Sequence, residues 1–349
     1  MNNIDLSTRR WNDIKENKYI RCLEINISEM CNYDCEYCVF HRNIKTKKLM
    51  DVNIAQKVAK EYCTYLKGRK GVIYLGAGEP LLNWNALVAI NKTVKRFSKG
   101  NIDIRFMTNA SLLTEEKLEY IKTNDIKMGM SIDGPEAIQN KSRKSCNSNV
   151  NSYEVILNAL EMANKREYKV YSLSATYSSS PFKSAAITVM ELCEKYQVSE
   201  FDLDYDIGSL NEDDIEKISN ELVDCYNIAK KKGLSMFGYW LIPFINKEID
   251  LSARNYCGNS TCRNLCISAD GQIKICGYDP RCFGDLNSFN EIIQNNDYME
   301  VIKKYTESNN ECLNCKIFPL CYGQCIFMEK SEKWALNCKL MKKVLEKMK

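Results

Sequence analysis

Histidine is almost missing from this chain: among 349 residues His41 is the only one. That argues against metal sites built on imidazole, whether zinc or non-haem iron. Long apolar runs are missing too. No stretch approaches the roughly 18 apolar residues of a membrane span, and the opening MNNIDLSTRRWNDIKENKYI lacks the apolar core of an export signal. A cytoplasmic protein without membrane contact is expected. Nor does one sign of charge prevail, since 49 lysines and arginines face 45 aspartates and glutamates for a net charge of +4. The signs alternate along the chain, so no basic face for nucleic acid is expected.

Cysteine is what the chain has in excess, with 18 residues. In a small exported protein this would mean disulfides; in a long chain without an export signal the thiols stay reduced and available to metal. With imidazole lacking, thiolate ligation of zinc or of iron-sulfur clusters remains.

From about residue 20 to 232, short β-rich runs alternate with amphipathic ones. YIRCLEINI (20–28), GVIYLG (71–76), IDIRFMT (102–108), KMGMSID (127–133), YKVYSLSAT (168–176) and SEFDLDYDI (199–207) read as strands. VNIAQKVAKEYCTYLKG, NWNALVAINKTVKRFS and stretches near 114–122, 152–166 and 183–196 read as helices. The alternation predicts six parallel βαβ units, an α/β fold of the partial (β/α)6 TIM-like barrel type, with its chemistry at the C-terminal strand ends. After a polar helix near 211–232 the composition changes, and ten of the 18 cysteines fall between 257 and 338. The expected organisation is an N-terminal extension (1–19), a barrel (20–210), a bridging segment (211–256) and a metal-organised domain (257–349).

The segment CNYDCEYC puts Cys31, Cys35 and Cys38 on one loop after the first strand. Three thiolates so spaced can hold three irons of a [4Fe-4S] cluster and leave the fourth open, whereas a structural zinc site takes four ligands, usually from two paired units. With Tyr37 before the last cysteine, the motif resembles the signature of the radical S-adenosylmethionine (SAM) superfamily. The resemblance implies that SAM chelates the open iron and is cleaved on reduction to a 5'-deoxyadenosyl radical, which takes a hydrogen atom from substrate. It implies a low-potential electron donor such as flavodoxin or ferredoxin. It also implies that GAGEP (76–80), with Gly78 and Glu79, receives the SAM amino group, Ala77 standing for the usual first glycine. MTNAS (107–111), with Asn109, would lie near the ribose, Ala110 replacing another glycine. In SIDGP (131–135), Ser131 and Asp133, together with Arg143, would contact ribose and carboxylate, the guanidinium fork suiting the latter. Read without the resemblance, these segments are turns, Glu79 is a helix cap and Arg143 a surface cation.

Gly271 to Cys276 is a Gly-x4-Cys unit, and CLNCKIFPLCYGQC places Cys312, Cys315, Cys321 and Cys325 before a lone Cys338. This resembles the SPASM extension of radical SAM peptide maturases. The resemblance implies three [4Fe-4S] clusters in all: auxiliary cluster I on Cys257, Cys262, Cys276 and Cys325, with Cys266 as the alternative to Cys262, and auxiliary cluster II on Cys312, Cys315, Cys321 and Cys338. Of the other cysteines, Cys22, Cys63, Cys193 and Cys225 are expected to be buried small hydrophobes. Cys146, Cys266 and Cys282 could approach the site, for example as hydrogen-atom donors.

The related anaerobic sulfatase maturases, which make formylglycine, carry an aspartate base directly after the cysteine of the Gly-x4-Cys unit. Here that residue is Gly277, which leaves Asp279 as the candidate base and Cys282 as a candidate hydrogen donor. The expected function is therefore modification of a ribosomally made peptide with a leader sequence, by thioether or carbon-carbon cross-linking or by epimerisation. Formylglycine formation and small-molecule dehydrogenase or epimerase chemistry are the alternatives. MFGYWLIPF (236–244) is read as core before contact surface, and His41 as a structural or solvent-exposed residue.

Overall fold

The computed structural model describes residues 3–40, 48–98, 101–147, 149–248, 257–307, 310–321, 323, 325 and 331–348, so His41 lies outside the described residues. The alternation in sequence produces six parallel strands: β1 (Cys22–Ser28), β3 (Gly71–Ala77), β4 (Ile102–Thr108), β5 (Lys127–Ser131), β7 (Ser172–Tyr177) and β8 (Glu200–Tyr205), hydrogen-bonded in that order. Between them, β2 (Tyr33–Cys35) and β6 (Arg143–Ser145) form a separate antiparallel pair.

Strand alternation decides what faces what. The register sets Leu23, Ile73 and Ile104 side by side, and Leu75, Phe106 and Met128 in a second row. All six are buried under helices such as Val52–Leu66, which contributes Ala55, Val58, Tyr62 and Leu66. Each such aliphatic side chain stabilises the fold by about 1.5–3 kcal/mol. The opposite face carries Glu24, Tyr74 and Asp202. Tyr74 on β3 feels the charges of both Glu24 on β1 and Asp202 on β8, so the sheet curls and its ends face each other across a lumen. The result is a partial (β/α)6 barrel.

Helix starts follow local chemistry. Asp51 accepts from the Asn53 N–H, Thr114 from Lys117, and Asn151 from Tyr153 and Glu154, caps worth about 1 kcal/mol each.

Three features differ from the sequence expectation. Residues Asn3–Asn17 form a helix that packs on the C-terminal part, Asn3 Nδ2 donating to the carbonyls of Leu313 (2.7 Å) and Cys315 (3.0 Å). On the other edge, β9 (Ser235–Phe237) adds a seventh parallel strand beside β8. And β10 (Asn264–Ile267) runs parallel to β1, with β11 (Ile273–Lys274) antiparallel beyond it. The sheet thus continues across the expected boundary at 257. Among the described residues no helix is long and apolar enough to cross a membrane.

Candidate active site

Cys31, Cys35 and Cys38 leave the C-terminal end of β1 on one loop, which turns where the Cys38 N–H donates to the Cys35 carbonyl (3.0 Å). The Cys31 sulfur accepts from the Tyr33 N–H at 3.4 Å and is approached by Asn109 Nδ2 at 3.9 Å. Burial pushes the Cys31 thiol up to about 12 and Cys35 to about 11, and Glu79 and the neighbouring thiols add to the Cys31 shift. Bare, such thiols stay neutral; bound to iron they ionise, the metal charge offsetting their burial. Among the described residues no three His, Cys, Asp or Glu side chains are gathered as for a single metal ion.

Beside the loop lies the turn after β3. A Cβ on Gly78 would stand 2.0 Å from the Met30 carbonyl oxygen, so only glycine lets this turn reach the cluster loop; the Gly78 and Glu79 N–H groups donate to Ser28 and Met30 (2.7 and 2.8 Å). Ala77 has φ 79° and Ala110 φ 60°. Both alanines that replace the family's glycines therefore sit in the left-handed region, each at a cost of about 1–2 kcal/mol. Glu79 is 2% exposed. Its carboxylate accepts from Leu81 N (3.0 Å), Thr108 Oγ1 (2.6 Å) and Asn109 N (2.9 Å), and burial raises its pKa although these bonds oppose the rise. Glu79 does cap a helical turn, Pro80–Asn83, and in the same act ties the β3 and β4 loops together beneath Cys31.

The Arg143 guanidinium donates through Nε and Nη2 to Asp133, each at 3.0 Å. Asp133 is fully buried and also accepts from Tyr37 Oη (2.6 Å), Ser142 Oγ (2.6 Å) and Thr176 N (3.0 Å). Arg143 lies over the Tyr37 ring at 5.3 Å and pairs with Cys35 in the β2–β6 ladder. Asp133, Arg143 and Tyr37 are thus a buried brace for the cluster loop.

The C-terminal thiols form two groups. Cys312, Cys315 and Cys338 all act on Cys321, whose thiol is pushed up by burial and by them. Cys257, Cys276 and Cys325 form the other: burial pushes Cys257 to about 11 and Cys276 to about 12, and Cys325 adds to both. Cys262 does not join them. It is fully buried in the hydrophobic core beside Met299 and Tyr298. The thiol that feels Cys276 is Cys266 on β10, so a four-residue shift separates the two sequence alternatives.

Of the two catalytic candidates, Asp279 is buried and accepts from Arg281, whose Nε and Nη2 donate at 2.8 and 2.9 Å. Cys282 is exposed and donates to the Gly284 carbonyl. A residue the sequence reading passed over does face the lumen: Glu24, a charge at the centre of the apolar strand β1. Burial pushes its carboxyl up to about 7. A Cβ on Gly277 would lie 3.5 Å from Glu24 Oε1, 3.5 Å from Asn26 Nδ2 and 3.3 Å from the Phe40 ring. The signal was available as an acidic residue inside an otherwise apolar run, which is rare unless paired or functional. Tyr278, its ring tilted by 38° against Phe40 with centroids 5.3 Å apart, feels Glu24, Cys276, Cys38 and Cys325, and so stands between the first thiol loop and the second thiol group.

A parallel barrel with an open three-thiol loop at its C-terminal rim defines a class, and comparison with known proteins agrees. Residues 25–178 match the family model described as Radical SAM superfamily; the chain contains a radical SAM domain. The cofactors this domain implies are a [4Fe-4S] cluster and SAM. Similar proteins include the radical SAM cyclopropyl synthase TigE of Paramaledivibacter caminithermalis, 25% identical over 91% of this chain and 70% of that one. A cysteine-type anaerobic sulfatase-maturating enzyme of Clostridium perfringens is 24% identical over 85% and 86%. The fold is shared with native anSMEcpe with bound AdoMet and Cp18Cys peptide (TM-score 0.76, 19% identity, 94% of this chain and 97% of that one). It is shared also with Streptococcus suis SuiB bound to the precursor peptide SuiA (TM-score 0.67, 16% identity, 93% and 78%).

Proposed function

We propose that this chain is a radical SAM enzyme that modifies a ribosomally made peptide, by cross-linking or by epimerisation. The observation that carries the reading is the position of Tyr278 between the Cys31–Cys35–Cys38 loop and the Cys276–Cys325 thiols. A lumen flanked by two iron-sulfur seats suits a substrate that is attacked at one and oxidised toward the other. Cys31, Cys35 and Cys38 would hold the SAM-binding cluster; Cys257, Cys276 and Cys325 with a fourth group, and Cys312, Cys315, Cys321 and Cys338, would hold two further ones. SAM, bound and reduced there, supplies the radical that takes a hydrogen atom. The chain's own part is orientation. Glu79 and Asn109 fix the turns beside Cys31, the Asp133–Arg143–Tyr37 brace fixes the loop, and Phe40 packs against Tyr278.

Peptide modification draws support from TigE, similar over 91% of this chain, and from the fold shared with the peptide-bound structures. Formylglycine formation is the second reading, favoured by the similarity to the Clostridium perfringens enzyme and opposed by Gly277 and by the pairing of Asp279 with Arg281. The test is anaerobic reconstitution with dithionite, SAM and candidate peptides encoded beside the gene, followed by mass spectrometry. A mass change in a precursor peptide together with 5'-deoxyadenosine supports the proposal; conversion of a sulfatase-derived cysteine peptide to formylglycine instead would select the second reading.

A further inference from the structure

The Asn109 side chain has a fixed orientation. Its Oδ1 receives the backbone N–H of Ser111 at 3.0 Å, and a backbone N–H can only donate, so the oxygen and the NH2 group of this amide cannot be exchanged. The rest follows in a circle. Asn109 Nδ2 donates to Asn32 Oδ1 (3.0 Å), Asn32 Nδ2 donates to Ser111 Oγ (2.8 Å), and the Ser111 hydroxyl donates back to Asn109 Oδ1 (2.7 Å). Reversing either amide would set donor against donor. Asn109 Oδ1 therefore holds two donors and one Nδ2 proton is held by Asn32, which leaves the second Nδ2 proton for the Cys31 sulfur at 3.9 Å, within the longer reach of a sulfur acceptor.

The ring joins two loops that are remote in sequence, since Asn32 lies between Cys31 and Tyr33 whereas Asn109 and Ser111 follow β4. Asn109 is 7% exposed, so an amide turned away from these partners would give up hydrogen bonds that water does not replace. Among the described residues the Cys31 sulfur thus receives two N–H donors, the Tyr33 N–H at 3.4 Å and the Asn109 amide. One-electron reduction of an iron-sulfur cluster adds negative charge that its thiolates share, and an N–H dipole aimed at a thiolate sulfur favours the more negative form. Hydrogen bonds to sulfur are accordingly among the determinants of a cluster's potential. We propose that Asn32 and Ser111 are positioning residues that hold the Asn109 amide as a donor to Cys31, and that this donor raises the reduction potential of the cluster on Cys31, Cys35 and Cys38. The inference rests on the assignment of a cluster to these three cysteines, and adds what sets how readily that cluster accepts an electron from its low-potential donor.

The test is the midpoint potential of that cluster in the anaerobically reconstituted full chain, read by EPR at a series of potentials poised with dithionite in the absence of SAM. The signal of the first cluster is identified as the one that changes when SAM is then added. Asn109→Ala is expected to lower the equilibrium constant for reduction about tenfold, which for one electron is about 59 mV, while the signals that do not respond to SAM keep their potentials. Ser111→Ala, which opens the ring and leaves the Asn109 amide in place, should give a smaller shift in the same direction, and Ser111→Thr, which restores the hydroxyl, should return the wild-type potential. An unchanged potential in Asn109→Ala, an equal shift of the signals that do not respond to SAM, or a Ser111→Thr protein shifted as far as Ser111→Ala overturns the proposal. So does a loss of SAM affinity in Asn109→Ala at unchanged potential, which would assign the amide to SAM instead of Cys31. If Asn109→Ala fails to hold iron at the first site, the comparison of Ser111→Ala with Ser111→Thr decides. A wild-type protein without any SAM-responsive signal would defeat the cluster assignment itself, whereas an unshifted potential with that signal intact defeats this inference alone.

Discussion

At the residue scale the most consequential group is Asp133, which receives donors from Arg143, Tyr37, Ser142 and Thr176. Replacing one member of a buried ion pair leaves the other charge uncompensated, at a cost of about 3–5 kcal/mol. Asp133→Asn is therefore expected to lower the thermal midpoint sharply and to lose iron from the Cys31–Cys38 loop, because Arg143 also pairs with Cys35 through β6. Retention of both would show that the brace is dispensable. Asp202 offers a pH signature. Its folded pKa of about 6 lies above the value of 3.8 for an unburied aspartate, so its ionisation works against the folded state. The destabilisation is absent below about pH 4, grows as pH rises to 6 and is then constant, on the order of 1–3 kcal/mol. Asp202→Asn should gain stability over wild type across that interval in urea unfolding, with no further gain above it. A difference independent of pH would mean that Asp202 titrates normally.

At the scale of elements, what was legible in the sequence was whatever has a period or a punctuation mark. IDIRFMT is observed as β4 without adjustment, and the helices starting at Val52 and Ser152 begin after Asp51 and Asn151, both side-chain caps. The helix Asn3–Asn17 escaped because it buries only Ser7, Arg10 and Ile14; its partners are the remote helix Asn296–Glu307, whose Thr306 carbonyl accepts from Ser7, and the segment around Leu313 and Cys315, which no local pattern announces. β10 and β11 escaped for the same reason, being four and two residues long and stabilised by remote pairing, β10 with β1 and β11 with β10. The same long-range pairing explains Cys262 and Cys266. Spacing along the chain counts residues, whereas the sheet puts Cys266 level with Glu24 and leaves Cys262 in a left-handed turn with φ 57°. Asn3 makes the N-terminal helix testable: Asn3→Ala removes two donors to the loop that carries Cys312 and Cys315. About 1 kcal/mol per bond should appear as faster iron loss to a chelator from the C-terminal sites, with the rate from the first site unchanged.

At the scale of the whole molecule, the question is whether the barrel and the C-terminal thiols are one machine or two. They share a sheet through β1 and β10, yet their thiol groups are separate, so metal can be removed from one at a time. With four thiolates per closed cluster and three for the open one, the reconstituted protein is expected to hold about twelve irons. Replacing Cys31, Cys35 and Cys38 by Ala should remove about four of them and all 5'-deoxyadenosine formation. Cys312 and Cys315 act on Cys321 but not on the first loop, and their double replacement by Ala should spare SAM binding and leave some uncoupled cleavage. Peptide modification should nevertheless fail, because an electron left on the substrate after hydrogen abstraction needs an acceptor, and the proposed C-terminal clusters would be the ones at hand. Metal binding is itself part of the folding free energy of such a domain, so the variant must first be shown to keep iron at the first site and wild-type SAM affinity. A double variant that meets both conditions and still modifies peptide at the wild-type rate would remove the Cys312–Cys315 group from the reaction and leave it a structural role alone.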